Sequence, residues 1–285
     1  MNILLTGKYG QVGWALHKRL VALGDVLALD REELDLTNAD ALIRTLREFK
    51  PAIIVNPAAY TSVDRAESES QVAHAINART PEILATEAKR SGALLIHYST
   101  DYVFDGSKRG PYVENDATNP LNAYGRSKLE GEQAIEASDC RHFILRTSWV
   151  YGARGHNFLL SMLKLGRERP QLRIVDDQIG APTWCESLAD MTIEMLQGEV
   201  KGRLPGGIYH STDGGETSWC GFAKEIFRLA KIQTLIEPIP TSEYPTPARR
   251  PLNSRLDNTK RLKALGTTQR PWTECLAACM RQAGL

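Results

Sequence analysis

The stretch Ile3-Leu4-Leu5-Thr6-Gly7-Lys8-Tyr9-Gly10-Gln11-Val12-Gly13 decides the fold. A short apolar run enters, three glycines follow at intervals of three, and a helical pattern leaves. Glycine permits the tight turn and lets a pyrophosphate approach the backbone. The helix N-terminus then offers free N–H groups and positive partial charge to an anion. At a first βα turn this spacing predicts a dinucleotide site built on Gly7, Gly10, Gln11, Val12 and Gly13. The same spacing also suits a plain glycine turn that only lets strand and helix pack closely. Asp30 ends the next apolar run, where an acid commonly hydrogen-bonds an adenosine ribose. Arg31 beside it could pair with a 2′-phosphate, so NAD and NADP both stay open.

Working outward, apolar β-rich runs recur at 3–5, 26–29, 53–55 and 94–96. They are nearly continuous, as expected for strands covered on both faces. Helical patterns fill 12–23, 39–49 and 69–91, with Thr80-Pro81 predicting an N-cap and first helical position that divide the last stretch in two. A further helix over 121–136 and a strand over 143–145 continue the alternation. Alternation of this kind predicts an α/β fold, a Rossmann-type doubly wound parallel sheet. It loosens past Trp149. We therefore expect a dinucleotide-binding domain over 1–150 and a smaller C-terminal substrate-binding part over 151–285, some of whose segments return to the first domain. The proline-rich stretch 241–258 suits a functional loop, and 272–282 a final helix.

Tyr124-Gly125-Arg126-Ser127-Lys128 lies on the helix after Pro120. Residues four apart share a helix face. A Lys128 cation would favour the tyrosinate and lower the Tyr124 pKa from its reference of about 10. A tyrosine tuned in this way gives a proton to a carbonyl oxygen as hydride reaches its carbon. Lys128 can also hold a nicotinamide ribose. Upstream, Thr100 follows the fourth apolar run, on the carboxyl edge where ligands sit, and its hydroxyl could bond the same oxygen. Each feature alone has a bland alternative: a surface Tyr–Lys pair, or turn chemistry at Ser99 and Thr100. Together they form a constellation.

Composition narrows the class. The chain has 285 residues, 42% of them hydrophobic, enough for a core of ordinary size. Lys+Arg is 35 against Asp+Glu 34, with no long basic block, which argues against nucleic acid as a partner. No run of 18 apolar residues is present, so no membrane span is expected. No secretory signal opens the chain, and five cysteines without a dense pattern suit free thiols in a reducing cytoplasm. Cys275 and Cys279 read as packing residues, and His97 and His210 as strand residues.

The constellation resembles the extended short-chain dehydrogenase/reductase superfamily. Longer strings are similar to the dTDP-4-dehydrorhamnose reductases: Ser99-Thr100-Asp101-Tyr102-Val103-Phe104, Arg146-Thr147-Ser148-Trp149-Val150-Tyr151, Asp177-Gln178-Ile179-Gly180-Ala181-Pro182-Thr183 and Tyr244-Pro245-Thr246-Pro247-Ala248-Arg249-Arg250-Pro251. The resemblance implies reduction of dTDP-4-dehydro-L-rhamnose to dTDP-L-rhamnose with NADPH or NADH. It implies that Tyr124 is the proton donor, Lys128 its partner and Thr100 the hydroxyl on the keto oxygen. Asp30, Asp35 and Leu36 would lie near the adenosine, and Ala59, Tyr60, Thr61 and Tyr98 along the cofactor. Thr100, Asp101 and Trp149 would face the deoxysugar, although Trp149 also suits plain core at a strand end. Apart from the resemblance, Arg249 and Arg250 read either as solvated charges in a polar loop or as a clamp for the nucleotide diphosphate, whose oxygens suit Arg forks. Some relatives form homodimers with Mg2+ at the interface. Glu186 matches one ligand position, although a helix N-terminal carboxylate is the preferred account of it.

Two rivals remain. A nucleotide-sugar 4,6-dehydratase needs an Asp-Glu pair after the threonine, and here Asp101 is followed by Tyr102. A non-catalytic subunit, similar to the regulatory subunit of methionine adenosyltransferase, would not need an intact Thr100, Tyr124 and Lys128.

Overall fold

The computed structural model describes residues 1–202 and 204–285. Six strands form one parallel sheet: β1 (Asn2–Thr6), β2 (Asp25–Leu29), β3 (Ile53–Asn56), β4 (Leu94–Thr100), β5 (His142–Thr147) and β6 (Gly207–His210). Their lateral order is β2-β1-β3-β4-β5-β6. The winding direction reverses between β1 and β3, and sheets of this kind bind ligands in the crevice at that switch point.

Side chains alternate across the sheet. Ile3, Leu5, Ile53, Val55, Ile96 and Tyr98 face one core. That core is closed by helix Gln11–Leu20 and by Cys185–Val200, Trp219–Ala230 and Trp272–Ala283 from the second half. Leu4, Ile54, Leu95 and Ile144 face the other, beneath Ala39–Phe49, Thr80–Ser91 and Ala123–Ala137. Each fully buried Leu or Ile contributes roughly 1.5–3 kcal/mol, so both faces are strongly held. This double burial explains why the strand runs are apolar throughout rather than alternating.

Thr80-Pro81 does not divide the helical stretch as the sequence predicts. Ser70–His74, a π-helical turn over Ala75–Arg79 and Thr80–Ser91 run on without a break. Thr80 is itself helical, with φ −60° and ψ −51°. Pro81 has no N–H to give one turn back, and the widened turn before it absorbs the mismatch. The Thr80 hydroxyl donates to the Ala75 carbonyl at 3.0 Å and the Leu36 carbonyl at 2.8 Å.

In the second half, β6 adds an edge strand to the sheet beside β5. The stretch 241–258 is a loop whose only helical piece is the 3-10 turn Thr241–Glu243. Its bridges, Leu256 to Tyr112 and Asn253 to Ile179, lay it across the carboxyl edge of the sheet. All five cysteines are free and buried.

Candidate active site

The glycine loop joins β1 to helix Gln11–Leu20, where Gly10 is the N-cap and no side chain caps the helix. The first N–H groups of the helix are left for an external anion. A Cβ on Gly13 would overlap the Gly7 carbonyl, so glycine there is what lets the helix sit on the loop. Gln11 accepts from Asn157 Nδ2 at 2.9 Å, which ties the loop to the second half. Asp30 reaches back from the end of β2: Oδ2 accepts the Tyr9 N–H at 2.9 Å and Oδ1 the Arg31 N–H at 2.6 Å. Asp35 accepts from the Thr37 backbone and hydroxyl, which hold its carboxyl below the usual range. An uncapped helix start, a tight glycine contact and an acid at the end of β2 fit a dinucleotide.

Ala59, Tyr60 and Thr61 follow β3. The Tyr60 N–H donates to Asn77 Oδ1 at 2.9 Å, and Asn77 Nδ2 donates to the Tyr60 carbonyl and the Ser127 hydroxyl, both at 3.0 Å. Asn77 thus pins this loop to the helix carrying Tyr124. The sequence did not single it out; its signal is a polar residue buried in a helical pattern, just before Thr80-Pro81. Tyr98 departs from expectation. Strand alternation sends its ring to the opposite face, where its hydroxyl pairs with Thr192 at 2.7 Å. Its side chain is therefore buried in that core.

Asn122 starts helix Ala123–Ala137, accepting the Gly125 N–H at 2.8 Å. A Cβ at Gly125 would overlap the Tyr102 carbonyl, so the helix start packs directly on the turn after β4. That contact brings Tyr124 to Thr100 and Asp101. The Tyr124 ring meets Tyr102 edge-on, with centroids 5.9 Å apart. The Thr100 hydroxyl accepts the Tyr102 N–H at 3.1 Å and donates to Asp101 Oδ1 at 3.0 Å. Asp101 is buried and its Oδ2 has no hydrogen-bond partner among the described residues. Burial raises its carboxyl to about 7, with the nearby hydroxyls of Ser254 and Thr100 offsetting part of the effect. Burial pushes the Tyr124 phenol up to about 12; the Thr100 hydroxyl opposes this and the Asp101 charge adds to it.

Lys128 is fully buried, with Nζ 3.0 Å from His97 Nε2. Burial lowers its pKa to about 7 against the pull of Glu132. The sequence predicts that Lys128 lowers the Tyr124 pKa. Instead the amine is turned to His97, and the phenol responds to burial, Thr100 and Asp101.

Trp149 is half-buried at φ +48°, a left-handed backbone that costs a bulky residue about 1–3 kcal/mol. Its ring stacks on Trp219 at 3.6 Å. The two arginines part company. Arg250 is clamped to Asp64 at 2.8 Å and bonds the Thr246 hydroxyl at 2.6 Å, so it fastens the loop and is not a free phosphate ligand. Arg249 is exposed, and among the described residues only its carbonyl is engaged, by Asn122 Nδ2 at 2.8 Å. Glu186, in the first turn of Cys185–Val200, is held by Arg19 at 2.6 Å with Lys18 at 3.7 Å. Two cations around one carboxylate oppose a divalent ion, so the residues do not fit the expected Mg2+ ligand.

The sequence model described as RmlD substrate binding domain matches residues 1–284. A dTDP-4-dehydrorhamnose reductase of Burkholderia thailandensis is 46% identical over 293 residues, covering 99% of this chain and 98% of that protein. A crystal structure of a dTDP-4-dehydrorhamnose reductase from Clostridium acetobutylicum superposes with a TM-score of 0.94 at 38% identity, covering 100% of both chains. Another, from Bacillus anthracis in complex with NADP, gives a TM-score of 0.93 at 36% identity, covering 99% of both.

Proposed function

The chain belongs to the dTDP-4-dehydrorhamnose reductase family, and from that premise we propose that it reduces the C4 keto group of dTDP-4-dehydro-L-rhamnose to give dTDP-L-rhamnose, with Tyr124 as proton donor. The observation that carries the assignment of residues is the meeting of Tyr124 with Thr100 and Asp101 at the carboxyl end of β4. The residues that would hold NADPH or NADH are Gly7, Gly10, Gln11, Val12 and Gly13 at the pyrophosphate and Asp30, Asp35 and Leu36 at the adenosine. Ala59, Tyr60 and Thr61 would lie along the cofactor, with Lys128 at the nicotinamide ribose. When bound, the cofactor supplies hydride to C4.

The protein's own part is to hold the keto oxygen and deliver a proton to it. The Thr100 hydroxyl lies by the Tyr124 phenol, so a keto oxygen held between them would meet two hydroxyls. A phenol near 12 stays protonated at neutral pH, and it is matched to the alkoxide that forms rather than to the ketone. Asp101 Oδ2, buried without a hydrogen-bond partner among the described residues, would accept from a sugar hydroxyl. Trp149 gives the sugar an apolar wall, and Arg249 reaches the diphosphate. The part over 151–285 thus serves mainly the substrate, and free thiols suit a cytoplasmic setting. No helix among the described residues is long and apolar enough to cross a membrane.

The test is turnover. Offered dTDP-4-dehydro-L-rhamnose with NADPH or NADH, the protein should consume reduced cofactor, followed by its absorbance, and yield dTDP-L-rhamnose. Binding of cofactor without turnover would instead mark a regulatory subunit.

A further inference from the structure

Four polar side chains form a row across the face of the sheet beneath helix Ala123–Ala137. Thr6 ends β1, Asn56 ends β3, and His97 sits on β4 in register with Asn56. Thr6 Oγ1 is 2.6 Å from Asn56 Oδ1, Asn56 Nδ2 is 3.0 Å from His97 Nδ1, and His97 Nε2 is 3.0 Å from Lys128 Nζ. All four are at most 1% exposed. Their neighbours on this face are Leu4, Ile54, Leu95 and Ile144. Three strand positions that would accept apolar residues instead carry a continuous hydrogen-bonded row, and the row ends on Lys128.

We propose that His97 is a positioning residue of the reduction, holding Lys128 through a ring that can either accept from its ammonium or donate to its amine. The proposal rests on the assignment of Tyr124 and Lys128 given above.

Two proton arrangements satisfy the same heavy atoms. In one, Thr6 donates to Asn56 Oδ1, Asn56 Nδ2 donates to His97 Nδ1, and His97 Nε2–H donates to a neutral Lys128 amine. In the other the Asn56 amide is turned over. It accepts from His97 Nδ1–H and donates to Thr6, and His97 Nε2 accepts from the Lys128 ammonium. The two differ by one proton, carried on Lys128, and by the His97 tautomer. The ring is neutral in both, as its burial requires. The charged groups facing the row are Lys128 and Glu132 from the helix and Arg146 from β5, which is paired with Glu132 at 2.6 Å. Tyr124 lies one turn before Lys128, and Ser99 is the next residue on the same face of β4. Lys128 can therefore change protonation state during turnover without losing its partner.

Two amide variants separate the ring's two contacts. In His97→Gln the longer amide reaches the Nε2 position and can accept or donate toward Lys128. In His97→Asn the shorter amide reaches only the Nδ1 position and leaves Lys128 unpartnered. Both keep a polar group on the strand, and melting curves check that each folds. The Gln variant should keep kcat within about threefold. The Asn variant should lose roughly tenfold or more and displace the limb of its kcat–pH profile set by Lys128 by about one pH unit, with smaller changes in KM. Equal kcat and superimposable pH profiles for the two variants would overturn the role of His97. Tyr124→Phe is measured alongside. If it keeps its rate, the mechanism beneath the proposal falls with it; if it loses its rate while the two His97 variants behave alike, only His97 is removed.

Discussion

The Thr100 hydroxyl gives its proton to Asp101, with Oγ1 and Oδ1 3.0 Å apart. An ionised Asp101 therefore draws that proton away from the substrate oxygen. A protonated Asp101 reverses the bond, donates to Thr100, and leaves the Thr100 O–H free to face the keto group. Burial raises the Asp101 carboxyl to about 7, so the reversal falls in the working range. The expected outcome is a kcat/KM that declines as pH rises through about 7. Asp101→Asn, whose amide always donates, should flatten that decline. Cofactor absorbance assays between about pH 5 and 9 check it, and an unchanged limb in the variant would sink the idea.

Stability should follow the same groups with a definite sign. The folded Asp101 carboxyl, raised from 3.8 to about 7, binds a proton in this window that the unfolded chain has released. Its contribution is present below 3.8 and is lost as pH rises through about 7. Lys128, lowered from 10.5 to about 7, works oppositely: its contribution is present above 10.5 and is lost as pH falls through about 7. Each has a ceiling of about 1.4 kcal/mol per pH unit. Asp101→Asn should thus gain on the parent as pH climbs from acid to neutral, and Lys128→Met as pH falls from alkaline to neutral. Melting temperatures across pH decide; parallel curves would contradict both. Asp213, also raised by burial, to about 6, adds to the acid-side trend in every variant.

Tyr124→Phe should reduce kcat by about 10²–10⁴, the usual worth of a general acid. Cofactor affinity, measured by fluorescence titration, should stay close to normal, because the glycine loop is untouched. A variant retaining most of its rate would remove Tyr124 from the chemistry.

Arg249→Ala should raise the sugar-nucleotide KM about ten- to a hundredfold, since a charge-assisted bond contributes roughly 1.5–3 kcal/mol. Arg250→Ala should behave differently. Its guanidinium is held by Asp64, so its loss should loosen the loop and lower the melting temperature, and Asp64→Asn should reproduce that effect. If Arg250→Ala weakened the sugar nucleotide more than Arg249→Ala without lowering the melting temperature, the assignment would be reversed.

Gly180→Ala should act on Trp149. The added methyl would sit 2.7 Å from the Trp149 ring and 2.9 Å from the Ser254 hydroxyl. The ring must move, so sugar-nucleotide KM should rise severalfold while cofactor affinity holds. Equal losses in both would point to a general collapse instead.

The parallel sheet was legible because both its faces are buried, which leaves unbroken apolar runs, and because the glycine loop has few other uses. That Tyr124 and Thr100 come together at the carboxyl end of β4 was legible by spacing and place. The burial of the Tyr98 side chain was not legible because the string around it says nothing about parity: residues 96 and 98 face one core while 95 and 97 face the other. The same parity would have put His97 beneath Lys128. The unbroken helix through Pro81 was hidden because a π turn leaves no mark in residue periodicity. The difference between Arg249 and Arg250 depends on Asp64, 186 residues from Arg250, and no local pattern carries such a contact.

The edge strand β6 gives the molecule a woven construction. Someone exchanging substrate preference between relatives by splicing near residue 150 would remove Gly207–His210 from its place beside β5. A nucleotide-binding fragment cut there would bare a row of unpaired backbone groups, an invitation to self-association. Transplants in this fold must therefore be made loop by loop, around an intact six-stranded frame, and specificity has to diverge on the woven part without ever being inherited as a detachable piece.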